Sequence, residues 1–347
     1  MSRYKFGGGA FMKEKNIPMV MSVVIVASVF ACWGIVNVPA DAAEKIIKFN
    51  DRSWDSIQVH NRIAGFIIKN GYGYDVDYTP GDSIMLITGL IEDNVDVDME
   101  SWTENNQELY DKGITSGKII DLGSNFPDNW QGWLVPTYMI KGDAKRGIKP
   151  IAPDLKSVSD LTKYWKLFKD PEAPTKGRFY NSVPGWGCTK INSEKLKAYG
   201  LDKYFNDFIT GSDAALAGSM AAAVKRGKPW VGYYWEPTWV LGKLDMTRLE
   251  EPAYSEECWN SNKACAYQPV QVNILINKGM IKKAPDIVEM LKKYETTTAM
   301  ANEFLAYMQD TNGKPEDGAV WFLKNKEHVW TPWLSADVVK KVKAALP

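Results

Sequence analysis

The order of predicted strands and helices constrains the fold of this chain more than any other sequence feature. From residue 46 onward, short apolar runs alternate with segments in which apolar residues recur at helical spacing. Strands are predicted at residues 45–49, 74–78 and 95–99, with helices at 55–70 and 83–91 between them. Parallel strands need a crossover connection, which a helix usually provides, so this alternation predicts an α/β fold built on mainly parallel sheets flanked by helices.

Length and a local change of composition indicate two lobes. The chain has 347 residues, enough for two domains. Residues 142–153 are rich in Gly, Pro and charge and are interpreted as a crossing between lobes. Because the last third returns to the first lobe, we predict lobe 1 from residues 44–141 plus 279–347 and lobe 2 from residues 142–278. Further helices are predicted at 104–112, 159–169, 191–198, 213–226, 285–294, 297–310 and 316–325, and further strands at 131–140, 178–183, 230–235 and 270–276.

The first 43 residues differ in pattern from the rest. Four basic residues, Arg3, Lys5, Lys13 and Lys15, precede an apolar run over residues 17–38, and small residues follow at 40–43. This pattern predicts a secretory signal peptide cleaved after Ala42 or Ala43. A retained membrane anchor and lipidation at Cys32 are the alternatives. Each of them places the remaining chain outside the cytoplasm, in the periplasm or on the outer face of the cytoplasmic membrane.

Charge and cysteine content narrow the possible partners and cofactors. The 42 basic and 42 acidic residues balance, so the charge gives no reason to expect binding to nucleic acid. With two histidines and no Cys-x-x-Cys spacing, neither a metal site nor another cofactor is expected. An oxidising compartment would allow one disulfide, either Cys258 with Cys265 or Cys188 with one of these two.

Four of the 14 tryptophans follow predicted strands at strand-to-helix corners: Trp54, Trp102, Trp186 and Trp235. The carboxyl ends of strands border the crevice in which open α/β sheets bind ligands. Several indole rings converging there would form a box for a cation that has no N–H to donate, such as a quaternary ammonium. The alternative for each ring is packing in the core or over a helix.

The turn from Pro184 to Cys188 adds a site for an anion. Glycines on both sides of Trp186 let the backbone approach a ligand closely. The N–H groups of Gly187 and Cys188 would begin a helix and could hold a carboxylate beside the ring. The alternative is a tight turn that only packs Trp186.

Carboxylates also lie beside these corners. Asp55 and Glu236 adjoin Trp54 and Trp235 and could add a negative field for a cation, although Asp55 could equally cap a helix. On a strand, Asp96, Asp98 and Glu100 would share one face, for which a metal site or an acid/base pair is the alternative to exposure. We interpret that face as solvated, with Asp98 or Glu100 able to bond to the rings. No nucleophile elbow, P-loop or dinucleotide-binding motif points to catalysis.

These residues resemble the glycine betaine and proline betaine-binding proteins of ABC transporters. The resemblance rests on Pro184-Gly185-Trp186-Gly187-Cys188, on Trp102 after Val95–Asp98, and on Tyr233-Tyr234-Trp235-Glu236-Pro237. It implies a two-lobed type II periplasmic-binding-protein fold with two interdomain crossings. It also implies that Trp102, Trp186 and Trp235 surround a trimethylammonium group and that the N–H groups of Gly187 and Cys188 take a carboxylate.

Three positions depart from the pattern of that family. Asn106 stands where a histidine can contact the ligand, and Ser182 stands where some members have a cysteine paired with the one in the Pro-Gly-Trp-Gly-Cys turn. Trp54 has no counterpart among the three rings and resembles a first-corner tryptophan of choline-binding relatives, which suggests a fourth wall of the box.

The resemblance implies a monomeric, non-enzymatic receptor that delivers glycine betaine or a close betaine to an ABC permease. A receptor for choline, carnitine or another quaternary amine is the alternative within this class. From other classes, a secreted carbohydrate-active enzyme would need two carboxyl groups in one cleft, and an assembly protein with an aromatic interface would expose its tryptophans.

Overall fold

The computed structural model describes residues 46–268 and 270–347. The signal peptide, anchor and lipidation hypotheses concern residues 1–43 and lie outside the described residues. Ten strands are assigned in the described part of the chain: β1 (Ile46–Asp51), β2 (Asp75–Pro80), β3 (Val97–Trp102), β4 (Ile119–Phe126), β5 (Trp130–Pro136), β6 (Gly177–Asn181), β7 (Phe205–Ile209), β8 (Gly232–Glu236), β9 (Met246–Arg248) and β10 (Val272–Asn277).

Helices connect these strands and cover both sheets. Several begin at a side-chain cap, as where the Asp82 carboxylate accepts a hydrogen bond from the Met85 N–H (3.0 Å). The helices are α1 (Asp55–Ile67), α2 (Ser83–Ile91), α3 (Gln107–Thr115), α4 (Tyr138–Lys141), α5 (Leu161–Tyr164), α6 (Gly187–Ala198), α7 (Asp213–Lys225), α8 (Trp239–Lys243), α9 (Glu256–Ser261), α10 (Met280–Lys283), α11 (Pro285–Leu291), α12 (Thr298–Thr311), α13 (Pro315–Asn325), α14 (Glu327–Trp330) and α15 (Ala336–Ala345).

The strands form two five-stranded sheets with the same plan. The first has the order β2-β1-β3-β10-β4 and the second β7-β6-β8-β5-β9. In each sheet the first three strands are parallel, and the fourth pairs antiparallel with both of its neighbours. Four of the five strands therefore run in one direction, which confirms the predicted two-lobed α/β fold with mainly parallel sheets.

The reversed strand of each sheet is the one that the chain enters after crossing between lobes. The first crossing falls between β4 and β5 and the second between β9 and β10. The boundaries expected from the sequence differ at these strands, because residues 130–136 were placed in lobe 1 and residues 272–278 in lobe 2. Hydrogen bonding puts β5 in the second sheet, paired with β8, and β10 in the first, paired with β3.

The first helix ends later than its sequence suggests. The expected stop was Gly71, but α1 continues as a π-helical turn over Ile68–Tyr72 and ends at Gly73, which has φ of +81°. Gly71 instead lies where α15 packs on this turn, and a Cβ there would be 2.6 Å from Val338 Cγ1. Close packing between helices therefore explains this glycine.

Two further expectations concern the membrane and the cysteines. Among the helices of the described residues, none has both the length and the apolar character of a membrane-spanning helix. The three cysteines in the described ranges, Cys188, Cys258 and Cys265, are free thiols. Cys188 is buried, and its Sγ donates to Ser182 Oγ (3.2 Å).

Candidate functional site

The four corner tryptophans line a single cavity between the two lobes. Trp54 lies between β1 and α1, Trp102 ends β3, Trp186 precedes α6, and Trp235 lies on β8. Each side chain is at most 7% exposed. The strand ends of both sheets therefore bring the four rings together, two from each lobe.

Three of the rings stand nearly perpendicular to their neighbours. The centroid of Trp186 is 5.1 Å from that of Trp54, with an interplanar angle of 79°, and 5.1 Å from that of Trp235, with an angle of 84°. The contact between Trp54 and Trp186 joins lobe 1 to lobe 2. Rings in this arrangement close adjacent sides of a box, which is the geometry that an alkylated ammonium group requires.

The two rings of lobe 1 are bonded to one buried carboxylate. Glu100 Oε1 accepts hydrogen bonds from Trp54 Nε1 (2.7 Å), Trp102 Nε1 (3.1 Å) and Ser56 Oγ (3.0 Å). Burial raises the pKa of Glu100 to about 7, although these three donors and the charge of Arg52 oppose the shift.

The expectation of a solvated acidic face was wrong for Asp98 and Glu100, which are both fully buried. The expectation that one of them bonds to the rings is confirmed by Glu100. Asp98 is buried because Arg52 forms a two-pronged ion pair with it, with N–O distances of 2.7 and 2.6 Å. Glu100 is buried because the two indole N–H groups and Ser56 bind it. Buried charges need such partners, and the spacing of the acidic residues gave no sign of them.

The beginning of α6 forms the polar end of the cavity. Trp186 is the N-cap residue in extended conformation, and no side chain caps this end of the helix. The first N–H groups of a helix lack intrahelical acceptors, and those of α6 belong to Gly187 and Cys188, which both line the cavity. The partial positive charge of the helix N-terminus suits a carboxylate at this place.

The other candidate residues lie at different distances from the box. Asn106 lines the cavity, and its Nδ2 donates to the Trp102 carbonyl (3.3 Å). Asp55 lines a small neighbouring cavity, bordered also by Trp54, Trp235 and Trp239. The structure does not bring Glu236 to either cavity, because its carboxylate accepts from Trp130 Nε1 (2.7 Å).

Residues that the sequence did not single out also line the two cavities. Tyr233, Ser83 and Asn105 line the box, and Asp213 lines the neighbouring cavity opposite Asp55. Tyr233 could have been found, because residues two apart on a strand share a face and Trp235 was already a candidate. The others come from loops and helix ends, where the sequence offers no periodic signal.

Asn105 also joins the two lobes. Its side-chain amide exchanges two hydrogen bonds with that of Gln131 on β5, at 3.2 and 3.1 Å. Gln131 Oε1 accepts a further bond from the Tyr233 hydroxyl (2.7 Å). Gln131 therefore links Asn105 of lobe 1 to Tyr233, which lines the box.

Most of the chain matches one protein family. Residues 45–325 match the family described as "Substrate binding domain of ABC-type glycine betaine transport system". The chain belongs to this family. The resemblance seen in the sequence is therefore confirmed.

Relatives of this substrate-binding domain are similar in sequence and in structure. A glycine betaine-binding periplasmic protein, OusX of Dickeya dadantii (strain 3937), is 27% identical over 192 residues, which are 53% of each chain, so the match spans about half the length of that relative. An ABC-transporter choline-binding protein solved with choline has a TM-score of 0.71 at 18% identity, covering 88% of this chain and 99% of that one. Lactococcal OpuAC, solved closed with glycine betaine, has a TM-score of 0.67 at 20% identity, covering 84% and 100%. These two structures share the fold.

Proposed function

We propose that this chain is the extracytoplasmic substrate-binding component of an ABC transporter and that it captures glycine betaine for uptake as an osmoprotectant. One observation carries the proposal. A box of four tryptophans from both lobes adjoins the N-terminus of α6, where Gly187 and Cys188 line the same cavity. A ligand with a quaternary ammonium at one end and a carboxylate at the other matches both parts.

The two ends of such a ligand need different partners. A trimethylammonium group has no N–H, so indole rings solvate it through their negative faces at roughly 0.5–2 kcal/mol each. A carboxylate needs directed donors, which the free N–H groups of a helix N-terminus provide. Because the rings come from both lobes, the ligand would bind the closed form more tightly than the open one and stabilise it.

The proposed role is transport without catalysis. Membership of a family of substrate-binding domains supports a receptor that hands its ligand to a permease. The relative OusX is named as a periplasmic protein, which supports a location outside the cytoplasm for this chain too. We propose that the receptor acts as a monomer and needs no cofactor, since the ligand site lies within one chain.

Calorimetric titration of the full chain with glycine betaine tests the proposal. We expect saturable binding to the wild type and binding weaker by about tenfold or more after Trp186→Ala or Trp235→Ala, because each change removes one ring of the box. Trp321→Ala is the control, since this partly buried ring stacks on Tyr307 and lines neither cavity. Unchanged affinity in both Trp186→Ala and Trp235→Ala would refute the binding role of the box.

Choline distinguishes the betaine receptor from the alternative. It carries the same cationic group but no carboxylate, so it would leave the N–H groups of Gly187 and Cys188 without a charged acceptor. Hydrogen bonds to a charged group contribute about 1.5–3 kcal/mol each, so choline should bind at least about tenfold more weakly than glycine betaine. Equal or tighter binding of choline would favour a choline receptor with Trp54 as its fourth ring.

A further inference from the structure

The carboxylate beneath the box touches neither the cavity nor solvent, yet it contacts two of the four rings. Glu100 is fully buried and is absent from the lining of the cavity. Its Oε1 receives both indole N–H groups of lobe 1, whereas its Oε2 has no hydrogen-bond partner among the described residues. One oxygen with three donors is typical of a charged acceptor.

The charged groups around Glu100 leave its negative charge unbalanced. The positive charge of Arg52 is matched by Asp98, with which it forms the two-pronged ion pair. Arg52 also lies close to the box, with its Cζ 5.5 Å from the centroid of Trp54. An unmatched cation there would compete with the ligand for that ring. With Asp98 neutralising Arg52, an ionised Glu100 gives this buried group a net negative charge.

We propose that Glu100 is a positioning residue of the ligand site, which orients Trp54 and Trp102 through their N–H groups and, as an anion, strengthens the attraction of both rings for the quaternary ammonium. The inference rests on the proposed function and deepens it. An indole that donates to an anion gains electron density on its ring, so its face attracts a cation more strongly. The ligand cation would in turn balance the buried negative charge.

This role couples ligand binding to a proton. Because burial raises the pKa of Glu100 to about 7, a fraction of the free protein carries the neutral acid near that pH. A cation in the box favours the anion, so binding lowers the pKa and releases a proton. Through Glu100, the affinity for the ligand should therefore fall as the pH drops below about 7. The charged and titratable groups that face Glu100 are Arg52, Asp98 and the Tyr294 hydroxyl, whose pKa is raised by burial and by Glu100.

A second carboxyl titrates in the same range and must be separated from Glu100. Burial and the neighbouring Asp55 raise the pKa of Asp213 to about 7, and both carboxyls line the cavity behind Trp54 and Trp235. Neither carboxyl is hydrogen-bonded to an indole N–H group of the box. Because the pKa of Asp213 rises on closure, this carboxyl would take up a proton when the ligand closes the lobes, whereas Glu100 would release one. The test is therefore made in the Asp213→Asn background, and Asp213→Asn, Glu100→Gln is the matched double variant.

The experiment is calorimetric titration of the full chain with glycine betaine between about pH 6 and about pH 8.5, repeated in buffers of different ionisation enthalpy to count protons. We expect the affinity of Asp213→Asn to rise several-fold over this range, with proton release largest near neutral pH, whereas proton uptake by Asp213 should flatten both trends in the wild type. Asp213→Asn, Glu100→Gln should bind about fivefold or more weakly than Asp213→Asn at high pH and lose the pH dependence. Ser56→Ala, which removes one donor to the carboxylate, should move the midpoint to higher pH.

Each outcome bears on one conclusion. A pH profile that survives in Asp213→Asn, Glu100→Gln, or binding to Asp213→Asn without proton release, would overturn the inference and leave the proposed function intact. If the double variant does not fold, proton release by Asp213→Asn and the midpoint shift on adding Ser56→Ala decide the question. Absence of glycine betaine binding at every pH would overturn the proposed function itself, and the inference with it.

Discussion

At the scale of single residues, Gly187 shows how closely the lobes approach at the proposed ligand site. A Cβ on Gly187 would lie 1.9 Å from the Asn105 carbonyl oxygen and 2.9 Å from Asn106 Oδ1. The first contact is with backbone of the other lobe, which cannot rotate away. We therefore expect Gly187→Ala to hold the lobes apart and to weaken ligand binding by at least about tenfold, because contacts from both lobes are needed for affinity.

The matched control for this substitution is Gly218→Ala in α7, where nothing lies within 4 Å of the added Cβ. Alanine is favoured over glycine inside a helix by up to about 1 kcal/mol, so this variant should be at least as stable as the wild type and bind normally. Calorimetry gives the affinity, and thermal denaturation shows that both variants fold. Normal binding by Gly187→Ala would mean that closure does not require this contact.

Single residues of the site could be predicted where local geometry decides their position. The corner tryptophans, Gly187 and Cys188 lie at or near strand ends, and strand ends of a parallel sheet meet at one edge. Glu100 shows the limit of such reasoning. Its alternation with Asp98 suggested a solvated face, but its burial depends on Trp54 and on Arg52, which is paired with Asp98. Partners more than 40 positions away leave no periodic signal.

At the scale of elements, α6 carries both the proposed anion end of the site and a buried ion pair. Lys195 near its end is fully buried and pairs with Glu251 at 2.5 Å, while the Tyr199 hydroxyl also donates to Glu251 (2.9 Å). Burial lowers the pKa of Lys195 and raises that of Glu251. Lys195→Met would leave a buried carboxylate without its cation, and we expect it to destabilise the protein by about 3–5 kcal/mol. Urea denaturation at neutral pH measures the loss.

The double variant Lys195→Met, Glu251→Leu separates the pair from the packing. Replacing both charges with apolar side chains removes the unpaired carboxylate, so most of the lost stability should return. A double variant as unstable as the single one would show that the lysine stem and the Tyr267 ring, 4.8 Å from Nζ, matter more than charge. Ligand affinity should change little in the folded fraction, since neither residue lines the cavity.

Elements with strong periodicity could be predicted, whereas three of the four edge strands could not. The structure has α2 at the predicted residues 83–91, and α7 and α12 lie within one residue of their predicted bounds. By contrast, β4, β7 and β9 were not predicted. They lie at the edges of the two sheets, where one side of the strand has no partner and the apolar signal is weak. Edge strands are fixed by pairing with a neighbour, which composition does not reveal.

At the scale of the whole molecule, structure and expectation differ most at β5 and β10, the strands that the chain enters after crossing between lobes. The change of composition at residues 142–153 indicated a crossing, but the chain crosses earlier, between β4 and β5. Both crossings lead directly into the reversed strand of a sheet, β5 or β10. Reversed strands look like any other strand in sequence, because apolar alternation carries no direction. Strand direction and lobe boundaries therefore needed the three-dimensional pairing.

Closure of the two lobes brings two like charges together. Asp55 begins α1 in lobe 1 and Asp213 begins α7 in lobe 2, and both line the cavity behind the box. Burial raises the pKa of both carboxyls, and proximity to Asp55 contributes to the value of about 7 for Asp213. An acid whose pKa is raised in the closed form favours that form at low pH and opposes it as pH rises through about 7.

We therefore expect the ligand-free protein to open as the pH rises. As the pH rises from the open-form pKa of Asp213 to its closed-form pKa, closure should become less favourable by up to about 1.4 kcal/mol per pH unit. Small-angle X-ray scattering should show a larger radius of gyration at about pH 8.5 than at about pH 6, and Asp213→Asn should abolish the change. Asp202→Asn, which removes an exposed carboxyl of the same lobe, should behave like the wild type. An expansion that persists in Asp213→Asn would assign the pH response to another group, with Glu100 the first to test.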